Sequence, residues 1–109
     1  MLDRKIRRLE ALARSFPTLR YRLPPELFAP WDAIRFAKYC VPMSSGEKDA
    51  ALFVLSVWNS TDDWSEFGLV RGPESDLLRG RFDVHRAISN WDDGHRRAFA
   101  AWVAAPWWC

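Results

Sequence analysis

The sequence predicts an all-α fold: a small single-domain bundle of five or six helices around a central apolar helix at about residues 47–58. Apolar side chains recur at the 3.6-residue period of an α-helix in several segments. Prolines and helix-capping residues separate those segments. A chain of 109 residues can build one core, so we expect residues 1–109 to form a single helical domain.

The first predicted helix is amphipathic, with a basic outer face. At 100° per residue its apolar positions share one side: Leu2, Ile6, Leu9, Leu12, Ala13 and Phe16. The opposite side is basic: Arg4, Arg7, Arg8 and Arg14. Pro17 ends the helix, because a proline displaces the preceding residue from helical geometry. Residues 17–30 hold four of the seven prolines, which predicts an extended or turn-rich crossing with at most one helical turn, at Glu26 to Ala29.

A second helix is predicted over Trp31 to Cys40, and Pro42 follows its end. Ile34 and Ala37, together with Phe36 or Tyr39, would face inward.

The clearest prediction is a helix from Ser44 to Trp58. Ser44 or Ser45 can accept the free amide protons of its first turn, and Glu47 and Asp49 complement its dipole. The segment AALFVLSVW that follows is apolar around the whole helix, as in the buried centre of a bundle. The same segment would also tolerate a strand, but its length and polar start favour a helix.

The remaining elements are predicted from capping residues. Ser60 or Thr61 would cap a short helix ending near Gly68, and residues 68–81 would form a connection with one turn at Glu74 to Leu78. Two helices would follow, the first capped by Asp83 and the second capped by Asn90 and closed by Pro106. The expected apolar face of the first is Val84, Ala87, Ile88 and Trp91, and that of the second is Trp91, His95, Ala98 and Trp102.

Composition argues against a membrane protein. The largely apolar stretches, Ala50 to Trp58 and Ala98 to Trp108, are shorter than the roughly 20 residues that a bilayer span needs. The first 16 residues lack the continuous apolar segment of a secretion signal. We therefore expect a cytoplasmic protein, with Cys40 and Cys109 as reduced thiols.

Charge is distributed unevenly along the chain. Residues 1–22 carry seven basic and two acidic side chains, whereas the rest carries nine basic and twelve acidic ones. The cluster at residues 4–8 could neutralise phosphates, which makes a nucleic-acid-associated protein one alternative. The acidic remainder would repel a long polyanion, and no helix-turn-helix, zinc or RNA-recognition signature accompanies the cluster.

The strongest enzyme-like group is a set of histidines and aspartates: Asp83, His85, Asp92, Asp93 and His95. The last four of these would be the active residues. Such residues could bind a metal ion, so a metal-dependent hydrolase is a second alternative. The two histidines lie ten positions apart with a predicted helix break between them, unlike the i, i+4 pair of a helical metal site. No serine lies in a G-x-S-x-G context, and we expect no cofactor.

The seven tryptophans favour a different function. Trp58, Trp91 and Trp102 fall on predicted inward faces. Trp64, Trp107 and Trp108 follow a helix exit or a proline, so we expect these three to be exposed. Tryptophan and arginine dominate binding hot spots in protein interfaces. The sequence therefore predicts a small non-enzymatic interaction module of the adaptor or inhibitor type, whose partner is another protein or a second copy of this chain. The predicted partner-binding residues are Trp64, Trp107, Trp108, Arg4, Arg7 and Arg8, with the 60–81 loop beside them, unless the PWW tail folds back to seal the core.

Overall fold

The structure, a computed structural model, describes residues 4–60, 64 and 73–109, with side chains omitted at 73–75. The described residues form helices and no β-strand, which confirms the all-α class. The helices are α1 (Arg4–Ser15), α2 (Pro17–Arg20), a 3₁₀ turn (Pro25–Leu27), α3 (Ala33–Cys40), α4 (Ser45–Trp58), α5 (Pro73–Arg79), α6 (Val84–Asn90) and α7 (Asp93–Ala104).

The proline-rich stretch is more helical than predicted. Pro17 ends α1 and also starts α2, because a proline has no amide proton to leave unbonded at the first helical position. A second turn follows at Pro25–Leu27, so the expectation of at most one turn, at Glu26 to Ala29, is wrong. The helix α2 packs closely on the start of α7, where a Cβ on Gly94 would lie only 2.8 Å from Pro17 Cγ. These short elements bring the described helices above the five or six expected.

The helix α1 has the predicted amphipathic character. Its inner face is buried at Ile6, Leu9, Leu12 and Ala13, and Phe16 is fully buried just beyond it. Leu2 lies outside the described residues. Arg4, Arg7 and Arg8 are exposed on the outer face, whereas Arg14 is half-buried and forms an ion pair with Glu10 at 2.9 Å.

The helix α4 is the centre of the bundle, as predicted. It packs against α1, α2, α3, α5 and α6. Ser44 and Glu47 form a capping box at its start: the Ser44 hydroxyl accepts from the Glu47 amide, and Glu47 accepts from the Ser44 amide. The Phe53 ring lies 5.1 to 5.9 Å from four other rings, those of Phe16, Phe82, Phe99 and Trp102. This helix therefore organises the aromatic core.

The boundary of α3 is close to the prediction. It begins one residue after Asp32, whose carboxylate accepts from the amides of Ile34 and Arg35. Phe36 and Ala37 are buried, whereas Tyr39 is 42% exposed. The predicted short helix from residue 60 to Gly68 falls largely outside the described residues, and the predicted turn at Glu74 to Leu78 belongs to α5.

Two predictions about the last helices are wrong. Asp92, and not Asn90, caps α7, because the Asn90 side chain points instead to the Asp49 carboxylate of α4. Val84 and Ile88 are 38% and 43% exposed, since α6 buries only Ala87. The predicted inner face of the last helix is confirmed: Trp91, His95 and Ala98 are buried and Trp102 is half-buried.

Candidate interaction surface

The carboxyl-terminal tail folds back onto the bundle. Trp102 Nε1 donates a hydrogen bond to the Trp107 carbonyl at 3.1 Å, and the Cys109 amide donates to the Val57 carbonyl at 3.1 Å. The first bond ties the tail to α7 and the second ties it to the last turn of α4. The tail is therefore held at both ends, in agreement with the alternative that the PWW segment covers the core.

The two adjacent indoles of the tail have different surroundings. Trp107 is half-buried, and the guanidinium carbon of Arg8 lies 4.3 Å from its ring centroid. Trp108 stands edge-on to Trp102, with ring centroids 5.1 Å apart and planes at 87°, and remains 54% exposed. Trp108 thus presents an indole to solvent while its orientation is fixed by a neighbouring ring.

The basic face of α1 lies next to this tail. Arg8 stacks on Trp107, and Arg4 is one helical turn before Arg8 on the same side. Arg7 is a further exposed cation on α1. We call the combined set the arginine–indole surface: Arg4, Arg7, Arg8, Trp107 and Trp108. Five of the six predicted partner-binding residues thus belong to this one surface. The sequence alone placed them in two separate regions, the first helix and the tail.

The sixth residue, Trp64, lies elsewhere and is buried. Its side chain is 7% exposed and stacks on Trp58, with ring centroids 6.0 Å apart and planes at 23°. The expectation that Trp64 is exposed is wrong, because the last residue of α4 offers it a ring to stack on. Trp58 in turn contacts Trp31 at 5.8 Å. Most of the 60–81 loop lies outside the described residues.

The predicted histidine and aspartate group contains one well-ordered link. His95 is 3% exposed, and its Nδ1 donates to Asp92 Oδ1 at 2.9 Å while its Nε2 lies 2.7 Å from Thr18 Oγ1. The order hydroxyl, imidazole, carboxylate is that of a nucleophilic triad. In such a triad the carboxylate is buried. Here the imidazole is buried and the Asp92 side chain is 68% exposed, so the burial is reversed. The link joins α2 to the start of α7.

The same link leaves His95 poorly suited to a metal ion. Both of its ring nitrogens already have hydrogen-bond partners, and a ligating imidazole needs one of them. Within residues 4–60, 64 and 73–109, no three histidine, cysteine, aspartate or glutamate side chains are grouped to hold a metal. His85 is exposed near the start of α6.

Within the described part of the chain, three ionisable groups have pKa values that their surroundings shift. Hydrogen bonds from the His95 amide and then its ring lower the pKa of Asp92, and hydrogen bonds to the amides of Arg86 and His85 lower that of Asp83. Burial, reinforced by the nearby Glu47 carboxylate, raises the pKa of the Cys40 thiol to about 12. The aspartates are helix caps and the cysteine is a core residue, so structural roles account for all three shifts.

Comparisons with protein-family models, with curated proteins and with solved structures find no match for this chain. None of the described helices has the length and apolar character needed to cross a bilayer. Any functional interpretation therefore depends on the geometry of this chain.

Sequence reasoning missed an ion pair beneath α6 in which the carboxylate is buried and the arginine is 41% exposed. Asp49, 3% exposed, accepts from Arg86 Nε at 2.8 Å on one oxygen and from Asn90 Nδ2 at 2.8 Å on the other. Arg86 also donates to the carbonyls of Gly80 and Arg81. The available signal was an aspartate directly preceding an apolar segment. This network fixes α6 on α4. The opposite side of α6, with Val84 and Ile88, is exposed.

Proposed function

We propose that this protein is a small interaction domain, of the adaptor or inhibitor type, that binds an acidic and partly apolar segment of another protein through the arginine–indole surface. The observation that carries this proposal is the stacking of Arg8 on Trp107. That contact joins the basic face of α1 to the tail, so cationic and aromatic groups form one patch. Both cysteines lack a disulfide bond, in keeping with a cytoplasmic location.

The indole groups supply the apolar part of the interaction. Trp108 is 54% exposed, yet its ring packs edge-on against Trp102. A side chain that is already ordered loses little conformational entropy when a partner covers it. Exposed tryptophans of this kind are typical hot spots in protein interfaces.

The arginines supply the charge preference. Guanidinium groups bind carboxylates through paired hydrogen bonds, and Arg4, Arg7 and Arg8 are all exposed on one helix. The remainder of the chain, residues 23–109, has nine basic and twelve acidic side chains, a net charge of −3. A short acidic segment can contact the basic patch without approaching that acidic remainder, whereas a long polyanion would meet both. Charge therefore favours a protein segment over a nucleic acid.

A displayed library of random 16-residue peptides tests the proposal. We expect the wild-type protein to enrich peptides that combine Asp or Glu with an aromatic or aliphatic residue. Trp108→Ala and Arg8→Gln should each weaken binding of the enriched peptides at least tenfold. Two controls alter similar groups elsewhere: Tyr21→Ala removes an 87% exposed ring, and Arg97→Gln removes an exposed arginine of α7.

Two outcomes would overturn the proposal. One is enrichment of peptides whose binding Trp108→Ala and Arg8→Gln leave unchanged. The other is tight binding of a fluorescent 20-base-pair DNA duplex that weakens steeply with salt and on Arg4→Gln/Arg7→Gln substitution, with no acidic peptide enriched. The second outcome would instead support the nucleic-acid alternative.

A further inference from the structure

The helix α7 has two apolar faces, and the fold uses only one. The inner face packs on the core through His95, Ala98 and Trp102. The outer residues recur at i, i+3, i+4, i+7 and i+8: Arg96, Phe99, Ala100, Val103 and Ala104. This is the spacing of one face of an α-helix. Phe99 lies at the border of the two faces, because its ring also packs on Phe53 and Trp91 of the core. A helix that is apolar on both sides is normally covered on both sides.

The outer face of α7 borders a groove shared with α6. The groove has a volume of about 440 Å³, and Ile88 of α6 lines it together with the five outer residues of α7. Val103 is 51% exposed and Ile88 is 43% exposed. Val84, one turn before Ile88, extends the apolar surface along α6 and is 38% exposed. Arg96 is the one charged residue among those that line the groove.

We propose that two copies of this chain pair through this groove, with their α7 helices antiparallel across a two-fold axis at Ala100. In that arrangement the residue numbers of facing positions add up to about 200, so Arg96 of one copy lies beside Ala104 of the other. Val103 of one copy then enters the space beside Phe99 of the other, and the small Ala100 side chains allow the two helices to approach closely. A two-fold interface uses the same patch on both copies. This surface has both a groove and side chains that protrude beside it, so the side chains of each copy can fill the groove of the other.

Charge complementarity favours a second copy as the occupant. The last turn of α7 has no basic residue of its own to balance the partial negative charge of the helix end. Arg96 of the other copy would supply this cation. Its Nε and Nη2 donate to the Ile88 carbonyl at 3.2 and 3.0 Å, and its Nη1 lies 3.7 Å from Asp93 Oδ1. These contacts hold the guanidinium beside the groove. The residues that line the groove between α6 and α7 include none of the arginine–indole surface, so the pairing does not depend on the proposed function.

Sedimentation equilibrium from 1 to 500 μM tests the pairing. We expect the wild-type protein to reach twice the 12.7 kDa mass of one chain within this range. Ala100→Glu and Val103→Asp change exposed positions, and each should weaken the dimer at least tenfold while the helical circular dichroism signal is retained. Tyr21→Asp, an equally polar change at an exposed ring far from the groove in sequence, is the matched control and should dimerise normally.

Cross-linking tests the geometry of the pair. In a Cys109→Ser background, Ala100→Cys should form a disulfide-linked dimer on mild oxidation, because residues at the two-fold axis approach within bonding range. Ala101→Cys is exposed on the same helix but points about 100° away, and should remain uncrosslinked. A wild-type protein that stays monomeric at 500 μM would overturn the inference. A dimer insensitive to Ala100→Glu and Val103→Asp, or one cross-linked equally at both positions, would also overturn it.

Discussion

The guanidinium carbon of Arg8 lies 4.3 Å from the ring centroid of Trp107, so the first helix and the last residues of the chain form one surface. The contact brings two candidate binding regions together, and it also helps to hold the tail on the bundle. Its energy is modest, because Arg8 is exposed and a cation–π contact at an exposed site contributes about 0.5 to 1 kcal/mol. Its importance is therefore in positioning the indoles more than in stabilising the fold.

Substituting Arg8 should loosen the tail without unfolding the protein. We expect Arg8→Ala to lower the free energy of unfolding by less than about 1 kcal/mol, as measured by urea denaturation. Acrylamide should quench the tryptophan fluorescence more strongly in this variant, because Trp107 loses its cover. Arg7→Ala, at an exposed arginine of the same helix, should leave quenching unchanged. Equal quenching in the two variants would contradict the stacking.

The ion pair beneath α6 should be important for stability. Arg86→Leu would leave the buried Asp49 carboxylate with the Asn90 amide as its remaining side-chain donor. Because Arg86 is 41% exposed, the loss should be below that of a fully buried pair, at about 1 to 3 kcal/mol, which urea denaturation would detect. Arg97→Leu should change stability by less than about 0.5 kcal/mol, because among the described residues that side chain donates only to the Asp93 carbonyl of its own helix. Similar losses in both variants would argue against the network.

A double substitution would distinguish the charge from the packing. Asp49→Leu/Arg86→Leu removes both charges, so no buried carboxylate is left unpaired. We expect it to recover much of the stability lost in Arg86→Leu, since apolar residues can often replace a buried ion pair. A double variant no more stable than Arg86→Leu would show that the carboxylate is not the source of the loss.

The capping aspartates predict how stability changes in acid. The pKa values of Asp83 and Asp92 are lowered in the folded protein by the helix amides they accept from. Their contribution is complete above the ordinary aspartate pKa of about 4, and it is lost as the pH falls through the lowered values. Asp83→Asn/Asp92→Asn keeps the capping oxygens but removes the titration, so the stability gap from wild type should narrow between pH 5 and pH 2.

Urea denaturation across that pH range measures the effect. Asp76→Asn is the control, because Asp76 is an exposed aspartate within α5 and caps no helix. Wild type and the double asparagine variant would have parallel stability profiles if the capping hydrogen bonds did not favour the ionised carboxylates.

The two thiols should differ in reactivity. Cys40 is fully buried, and its pKa is raised to about 12, so it has almost no thiolate at neutral pH. Cys109 is half-buried in the tail. We expect a disulfide reagent such as DTNB to modify one thiol in the native protein and both in 6 M guanidinium chloride. Rapid modification of two thiols without denaturant would contradict the burial of Cys40.

The central helix could be predicted because its signals are local. The Ser44 cap and the apolar segment that follows Asp49 lie within one helix, so neither depends on the rest of the fold. The exposure of Val84 and Ile88 depends instead on which side of α6 meets α4, and that side is chosen by Asp49, far away in the sequence. Periodicity reveals that a helix has an apolar face but cannot show whether a neighbour covers it.

The sequence predicted which residues belong to the candidate site, but it could not predict that they form one surface. Arg8 and Trp107 lie near opposite ends of the chain, so no local pattern connects them. Trp64 and Trp108 have similar sequence contexts in that each follows a helix exit, yet the first stacks on Trp58 and the second remains 54% exposed. Stacking partners decide this difference, and they are fixed only when the helices pack.

Indole nitrogen–proton spectra provide the most direct test of the proposed binding surface. The seven tryptophans give seven indole signals, which single Trp→Phe variants would assign. On titration with an acidic peptide enriched by the wild-type protein, we expect the Trp107 and Trp108 signals to shift. The Trp91 signal should stay in place, because that side chain is buried and its Nε1 donates to the Gly46 carbonyl at 2.9 Å. Saturable peptide binding that leaves the Trp107 and Trp108 signals unmoved would contradict the proposed function.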